Sequence, residues 1–115
     1  MLSIAFCDDE PIMLEELFNV VKGYIDSKKV EFTADLFESG EEFVEKGVRC
    51  RKYDIVFLDI EMKEMNGLEA AAWFRKLNEQ SKVIFVSSHV EYTLDAFKVA
   101  AFRYIIKNKD TMTQA

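Results

Sequence analysis

Short apolar runs alternate with amphipathic stretches along the whole chain, and the period of the pattern changes from one to the other. "LSIAF" (2–6), "DIVFLD" (54–59), "KVIFVSS" (82–88) and "FRYII" (102–106) are β-branched and aromatic runs bounded by polar or turn residues, which predicts strands. The middle two are apolar almost throughout, as strands buried on both faces of a sheet must be. "VEFTADLF" (30–37) instead alternates strictly. Val30, Phe32, Ala34 and Leu36 face one way and Glu31, Thr33 and Asp35 the other, which predicts an edge strand with one wetter face.

Helical spacing fills the intervals. Leu14, Leu17, Phe18, Val21 and Ile25 recur on one side of 11–28, and Pro11 falls near the first turn, where its missing N–H does little harm. "SGEEFVEKG" (39–47) opens with Ser39 and Glu42 in capping-box spacing and closes at Gly47, a C-terminal stop. "GLEAAAWFRKLN" (67–78) aligns Leu68, Ala71, Phe74 and Leu77, and "VEYTLDAFKVAA" (90–101) supplies a fourth helix. The order β-α-β-α-β-α-β-α-β predicts an α/β fold with a doubly wound five-stranded parallel sheet. Such folds bind ligands at the carboxyl ends of the strands, where the strand order reverses.

Those ends are where the chemistry concentrates. Asp8 and Asp9 follow the first strand, Asp59 the third, Ser87 and Ser88 the fourth and Lys107 the fifth. Carboxylates converging from two strand ends form a hard-oxygen site suited to Mg2+, and the ion offsets their mutual repulsion. An Asp carboxylate is also a competent nucleophile that can form an acyl phosphate, with a hydroxyl and an ammonium across the site to hold the phosphoryl group. Asp8 or Asp9 could instead cap the first helix, and Ser87 or Lys107 could be solvated surface groups. The joint placement favours the phosphoryl reading.

Composition narrows the classes. The chain has 115 residues, half of them hydrophobic, which is one domain with a real core. Its net charge is −6, and no basic run exceeds "RCRK", so direct nucleic-acid binding by this domain is not expected. No apolar run approaches the roughly 20 residues of a membrane span, and no signal peptide opens the chain, so the expected location is the cytoplasm, without membrane association. Cys7 and Cys50 match no metal spacing and are expected as reduced thiols. His89 is expected in the loop after the fourth strand without a chemical role, and Met62, Met65 and Trp73 in loop or core packing.

The acid pair in "FCDDEPIMLEEL", the stretch "FLDIEMKEMNGLEAA", Ser87 and the Tyr-x-x-Lys of 104–107 resemble a response-regulator receiver domain from Ile4 to about Asn108. Within that family they are most similar to receivers that precede LytTR-type DNA-binding domains. The resemblance implies a flavodoxin-like strand order 2-1-3-4-5 and a single receiver domain over 1–115. It implies that Asp59 accepts a phosphoryl group from a sensor histidine kinase, and that the domain is a switch that catalyses only its own phosphorylation and dephosphorylation. Mg2+ would be held by Asp9, Asp59 and the backbone carbonyl of Glu61, with Asp8 helping through water. Ser87 would bond the phosphoryl oxygen, Lys107 would pair with it, and Tyr104 would be the aromatic switch that follows Ser87.

Several features depart from the family. Receivers usually carry Pro four residues after the acceptor Asp, where Lys63 stands here, so a more mobile loop is expected. The usual Lys-Pro pair is Lys107-Asn108. A non-proline cis bond costs about 2.5–4 kcal/mol, so a trans bond is expected, one that could displace Lys107 from the phosphoryl site. Only "KNKDTMTQA" follows the fifth strand, so the fifth helix is expected to be truncated, with a C-terminal effector domain in cis outside this stretch. Apolar surface near helix four and strand five would then favour a homodimer through that face. Three alternatives compete. A haloacid-dehalogenase phosphatase wants Asp where Glu61 stands, and a dinucleotide-binding domain wants a Gly-rich turn after the first strand. A degenerate receiver acting as a phosphorylation-independent interaction module is the third, suggested by Lys63 and Asn108.

Overall fold

Strand runs that are apolar on both faces need cover on both faces, and the computed structural model, which describes residues 1–107 and 112–114, supplies it with helices. The elements are β1 (Leu2–Cys7), α1 (Pro11–Ser27), β2 (Phe32–Phe37), α2 (Gly40–Glu45), β3 (Ile55–Leu58), α3 (Gly67–Leu77), β4 (Lys82–Ser87), α4 (Thr93–Lys98), β5 (Arg103–Lys107) and β6 (Met112–Gln114). Short 3-10 helices occupy Gly47–Lys52 and Val90–Tyr92. The sheet order is β2-β1-β3-β4-β5-β6. The first five strands are mutually parallel, as expected, and β6 adds a short antiparallel partner to β5 that the sequence pattern did not suggest. Of the tail expected to be too short for a fifth helix, residues 108–111 and 115 lie outside the described residues.

Strand alternation divides the core in two. Ile4 and Phe6 of β1 join Phe57 and Val86 beneath Leu14, Leu17 and Ile25 of α1. Ala5 and Cys7 point the other way, into a layer with Phe37, Phe43, Tyr53, Phe74 and Phe85 under α2 and α3. Phe6 stacks on Phe57 at 5.0 Å and meets Phe18 edge-on at 5.6 Å. Phe43 touches Phe37, Tyr53, Trp73 and Phe74. Truncating a ring as buried as Phe74 to Ala would cost about 3–5 kcal/mol. Both cysteines are buried and free.

Local chemistry explains where α2 and α3 begin. Ser39 Oγ accepts the Glu42 N–H at 3.0 Å, but the Glu42 carboxylate reaches one residue further back than a capping box, to the Glu38 N–H at 3.0 Å. The complete capping box belongs to α3, where Asn66 and Glu69 exchange side-chain bonds of 2.9 and 3.1 Å. Gly47 takes φ +58 and turns the chain into the 3-10 segment, which buries Cys50. That segment was too short to show a period.

Two expectations about faces need correction. In β2, Leu36 is 42% exposed, whereas Phe37 is buried. Phe32 and Ala34 lean only partly on the α1 layer, while Phe37 crosses to the opposite face against Phe43, and Asp35 is half-covered because the Tyr53 hydroxyl donates to it at 2.6 Å. The stretch 90–101 is not one helix. It splits into a 3-10 turn and a six-residue α4 that buries Ala96 and leaves Leu94 and Phe97 about four-fifths exposed, at 78% and 82%. The helix stops because Ala100 turns left-handed, at φ +56.

Candidate functional site

In the order 2-1-3-4-5 the connections after β1 and β3 leave toward opposite sides, opening a crevice at their carboxyl ends. The ladder runs one residue past both strands: Asp8 N–H donates to the Phe37 carbonyl at 3.1 Å and Asp59 N–H to the Cys7 carbonyl at 3.0 Å. The first acid after each strand is thereby held as firmly as a strand residue. Asp8 and Asp59 are buried, at 1% and 4% exposure, and Asp9 is half-buried. Neither Asp8 nor Asp9 caps α1, whose N-cap is Glu10 without a side-chain bond. Both acids face the crevice instead of closing the helix end.

Carboxylate oxygens of Asp8, Asp9, Glu10 and Asp59 lie within 4.8 Å of one another. The donor set is all hard oxygen and carries more negative charge than one lysine neutralises, so it fits a small divalent cation such as Mg2+. Asp8 spends both oxygens within the protein: Oδ1 accepts the Glu10 N–H at 2.9 Å and Oδ2 accepts Lys107 Nζ at 2.6 Å. That suits contact through water better than direct ligation. Glu10 joins the cluster although the sequence reading assigned it no part. The position of a third consecutive acid at a helix start gives no separate signal.

Lys107 is buried across the crevice, with Nζ 3.5 Å from Asp59 Oδ2 as well. It stands among the acids, where its assignment to the site requires it; β5 pairs in register through Ile106 with Ser87, which sets Lys107 level with them. The bond from Lys107 to Asn108 lies outside the described residues. Burial pushes the Lys107 ammonium pKa down, but the bond to Asp8 and the charges of Asp59, Asp8 and Glu10 outweigh it, and the net shift is upward. Burial raises the Asp59 carboxyl most, Lys107 pulls it back, and Asp8 and Asp9 add to the rise, leaving it pushed up to about 7. An acid that titrates near neutrality in a crevice is a mark of functional sites.

Ser87 is fully buried at the end of β4, its Oγ accepting the His89 N–H at 3.1 Å. Tyr104 is buried against Phe85, and its hydroxyl donates to the His89 carbonyl. His89 thus sits in the loop after β4 as expected, with its backbone joining Ser87 to Tyr104. The Glu61 carboxylate turns outward to the same loop, accepting Tyr92 OH at 2.9 Å with His89 Nε2 at 3.8 Å. Tyr92 had no signal in the sequence, because its partner comes from a different strand end. Across from it, the Lys63 N–H donates to Asp9 Oδ2 at 3.1 Å. The loop expected to lack restraint is tethered to the acid cluster.

Comparisons with known proteins identify the family and the fold. The family model of the response regulator receiver domain matches residues 4–115. The transcriptional regulatory protein LytR of Staphylococcus aureus is 31% identical over 103 residues, covering 87% of this chain and 39% of that protein. The sensory transduction protein LytT of Bacillus anthracis is 35% identical over 112 residues, 96% of this chain and 43% of that protein. The chain therefore spans about four-tenths of the curated relatives it matches. Among solved structures, the response regulator TrrA of Thermotoga maritima, in complex with Mg2+ and BeF, has a TM-score of 0.71 and 32% identity over 96% of this chain and 90% of that one. A BeF3-activated DrrB receiver domain, 20% identical with a TM-score of 0.78 over 96% of this chain and 87% of that one, shares the fold.

Proposed function

The chain belongs to the response regulator receiver domain family, and from that premise we propose that Asp59 accepts a phosphoryl group from the phosphohistidine of a sensor kinase. The observation that carries this reading is the convergence of the Asp8, Asp9 and Asp59 carboxylates on one side of the crevice, with Lys107 Nζ 3.5 Å from Asp59 on the other. In the transfer, an Asp59 oxygen forms a bond to phosphorus and the phosphorus–nitrogen bond breaks, its electron pair returning to the imidazole. Asp59 must be ionised to attack, so Lys107, by favouring the carboxylate, supports the step.

Bound Mg2+ would supply charge neutralisation for the incoming phosphoryl oxygens, held by Asp9, Asp59 and the Glu61 carbonyl with Asp8 behind water. Lys107 orients the acceptor, and Ser87 Oγ, which accepts from His89, keeps its own proton to donate to a phosphoryl oxygen. Tyr104 is already buried here, so its share of the switch is the bond from its hydroxyl to the loop that Ser87 holds. A phosphoryl dianion shifts the two-state balance only through contacts that differ between the states, and Ser87 and Tyr104 are the groups placed to make them. The surface that changes would be the α4–β5 face, where Leu94, Phe97 and Phe102 are exposed and a second copy could pair.

By likeness to LytR and LytT, the output would be transcription control through an effector domain C-terminal to this segment. From the family we infer action in the cytoplasm; no helix among the described residues is long and apolar enough to cross a membrane. The test is intact-mass measurement after incubation with acetyl phosphate and Mg2+. One phosphoryl adduct that disappears in Asp59→Asn and in EDTA supports the reading. A folded, Mg2+-binding protein without adduct would point to the phosphorylation-independent interaction module.

A further inference from the structure

Asp9 Oδ2 accepts the Lys63 N–H although the two residues lie 54 positions apart, one after β1 and the other between β3 and α3. Lys63 belongs to a connection that is closed on itself. Met62 N–H and Gly67 N–H both donate to the Ile60 carbonyl, at 3.0 and 2.9 Å, and Glu64, directly after Lys63, turns left-handed at φ +61. The Lys63 ammonium is exposed, so the contribution of this residue to the crevice is its backbone.

We propose that the Lys63 N–H is a positioning group for cation binding, fixing the Asp9 carboxylate beside Asp59 before the cation arrives. A half-buried carboxylate without such a donor would sample several rotamers and would have to be ordered on binding. The N–H supplies that order in advance and sets a positive dipole end against the four crowded acids. Divalent-cation affinity then depends on residue 63 through its backbone: every residue except Pro can donate this bond. The inference rests on the Mg2+ reading above and concerns this chain's own departure at Lys63.

Isothermal titration with MgCl2 on wild type, Lys63→Ala and Lys63→Pro tests it. Both variants lose the ammonium and only the second loses the N–H, so their difference isolates the bond. Lys63→Ala should bind as tightly as wild type or more tightly, and Lys63→Pro roughly three- to tenfold more weakly than Lys63→Ala, the scale of ordering one side chain. Hydrogen exchange of the Lys63 amide, read by NMR, decides the matter even if the Pro variant fails to fold: protection in wild type should fall in Asp9→Ala. Equal affinities of the two folded variants, or an exchange rate at Lys63 indifferent to Asp9, would overturn the positioning role alone. A wild-type protein that binds no divalent cation would overturn the metal reading and this inference with it.

Discussion

Lys107 donates to Asp8 at 2.6 Å across the end of the sheet, a buried ion pair between the residue after β1 and the end of β5 that also faces Asp59. Removing one member of such a pair leaves the other charge uncompensated, at a cost of about 3–5 kcal/mol. Lys107→Ala should therefore lose stability on that scale at pH 8 in EDTA, in urea denaturation followed by Trp73 fluorescence. The deficit should shrink in saturating MgCl2, because the cation replaces the missing charge, and toward pH 5, where a carboxyl can take up a proton. A loss equal in all three conditions would mean that Lys107 matters for packing and not for charge.

Asp59 makes the opposite kind of contribution. Its carboxyl is pushed up from its ordinary 3.8 to about 7, mainly by burial, so between those values the folded chain holds a proton that the unfolded chain has released. Stability falls with rising pH wherever the folded state binds more protons, so this group becomes progressively destabilising from about pH 4 to 7 and fully so above. Asp59→Asn should be more stable than wild type in EDTA at pH 8, on the order of 2 kcal/mol, with the advantage fading toward pH 4. Thermal melts across pH, with and without Mg2+, check this; an advantage that did not fade on acidification would refute the titration.

What the sequence disclosed and what it hid follow the range of the interactions. The acids at 8, 9 and 59, Ser87 and Lys107 were legible because a strand period running into a polar residue marks the strand end, and parallel strands bring their ends to one edge. Ser39 was legible as a cap, since its partner lies three residues on. Leu36 was misread because alternation reports which residues share a face, not how well a helix covers that face at the sheet edge. Tyr92 on Glu61 and the Lys63 N–H on Asp9 were invisible for another reason. They join separate loops, and a backbone donor leaves no trace in residue type.

Ser87→Ala separates acceptance from transmission. Ser87 Oγ is not an acceptor of the transferred group, so the variant should take up a phosphoryl group from acetyl phosphate to wild-type extent by intact mass. It should fail to carry the event to Tyr104, because the bond between Oγ and the loop at His89 is gone. The variant also lacks the proposed bond from Ser87 Oγ to the phosphoryl group, and a hydrogen bond to a charged group is worth roughly 1.5–3 kcal/mol, about tenfold or more in the switch equilibrium. NMR of the Tyr104 ring before and after phosphorylation reads that loss, and a ring shift equal to wild type would remove Ser87 from the switch.

Gly67→Ala sets two rules against each other. Gly67 opens α3, and in an ordinary helix Ala outranks Gly by about 1 kcal/mol. Here a Cβ would stand 2.0 Å from the Asp59 carbonyl oxygen and 3.0 Å from Ile60 Cα, atoms of backbone that cannot turn aside as a side chain could. Overpacking of this kind costs about 1–3 kcal/mol, more than propensity returns, so the variant should be less stable than wild type. Gly23, in the middle of α1 and exposed, has nothing within 4 Å of its Cβ position, so Gly23→Ala should gain roughly 0.5–1 kcal/mol by the same propensity. Opposite signs in parallel urea titrations are the expected result. The clash at residue 67 falls on the backbone of Asp59, the proposed acceptor, so Gly67→Ala should also slow adduct formation from acetyl phosphate, while Gly23→Ala leaves it unchanged. Equal adduct rates would show that α3 can shift without moving Asp59, and that the close approach at Gly67 serves packing alone.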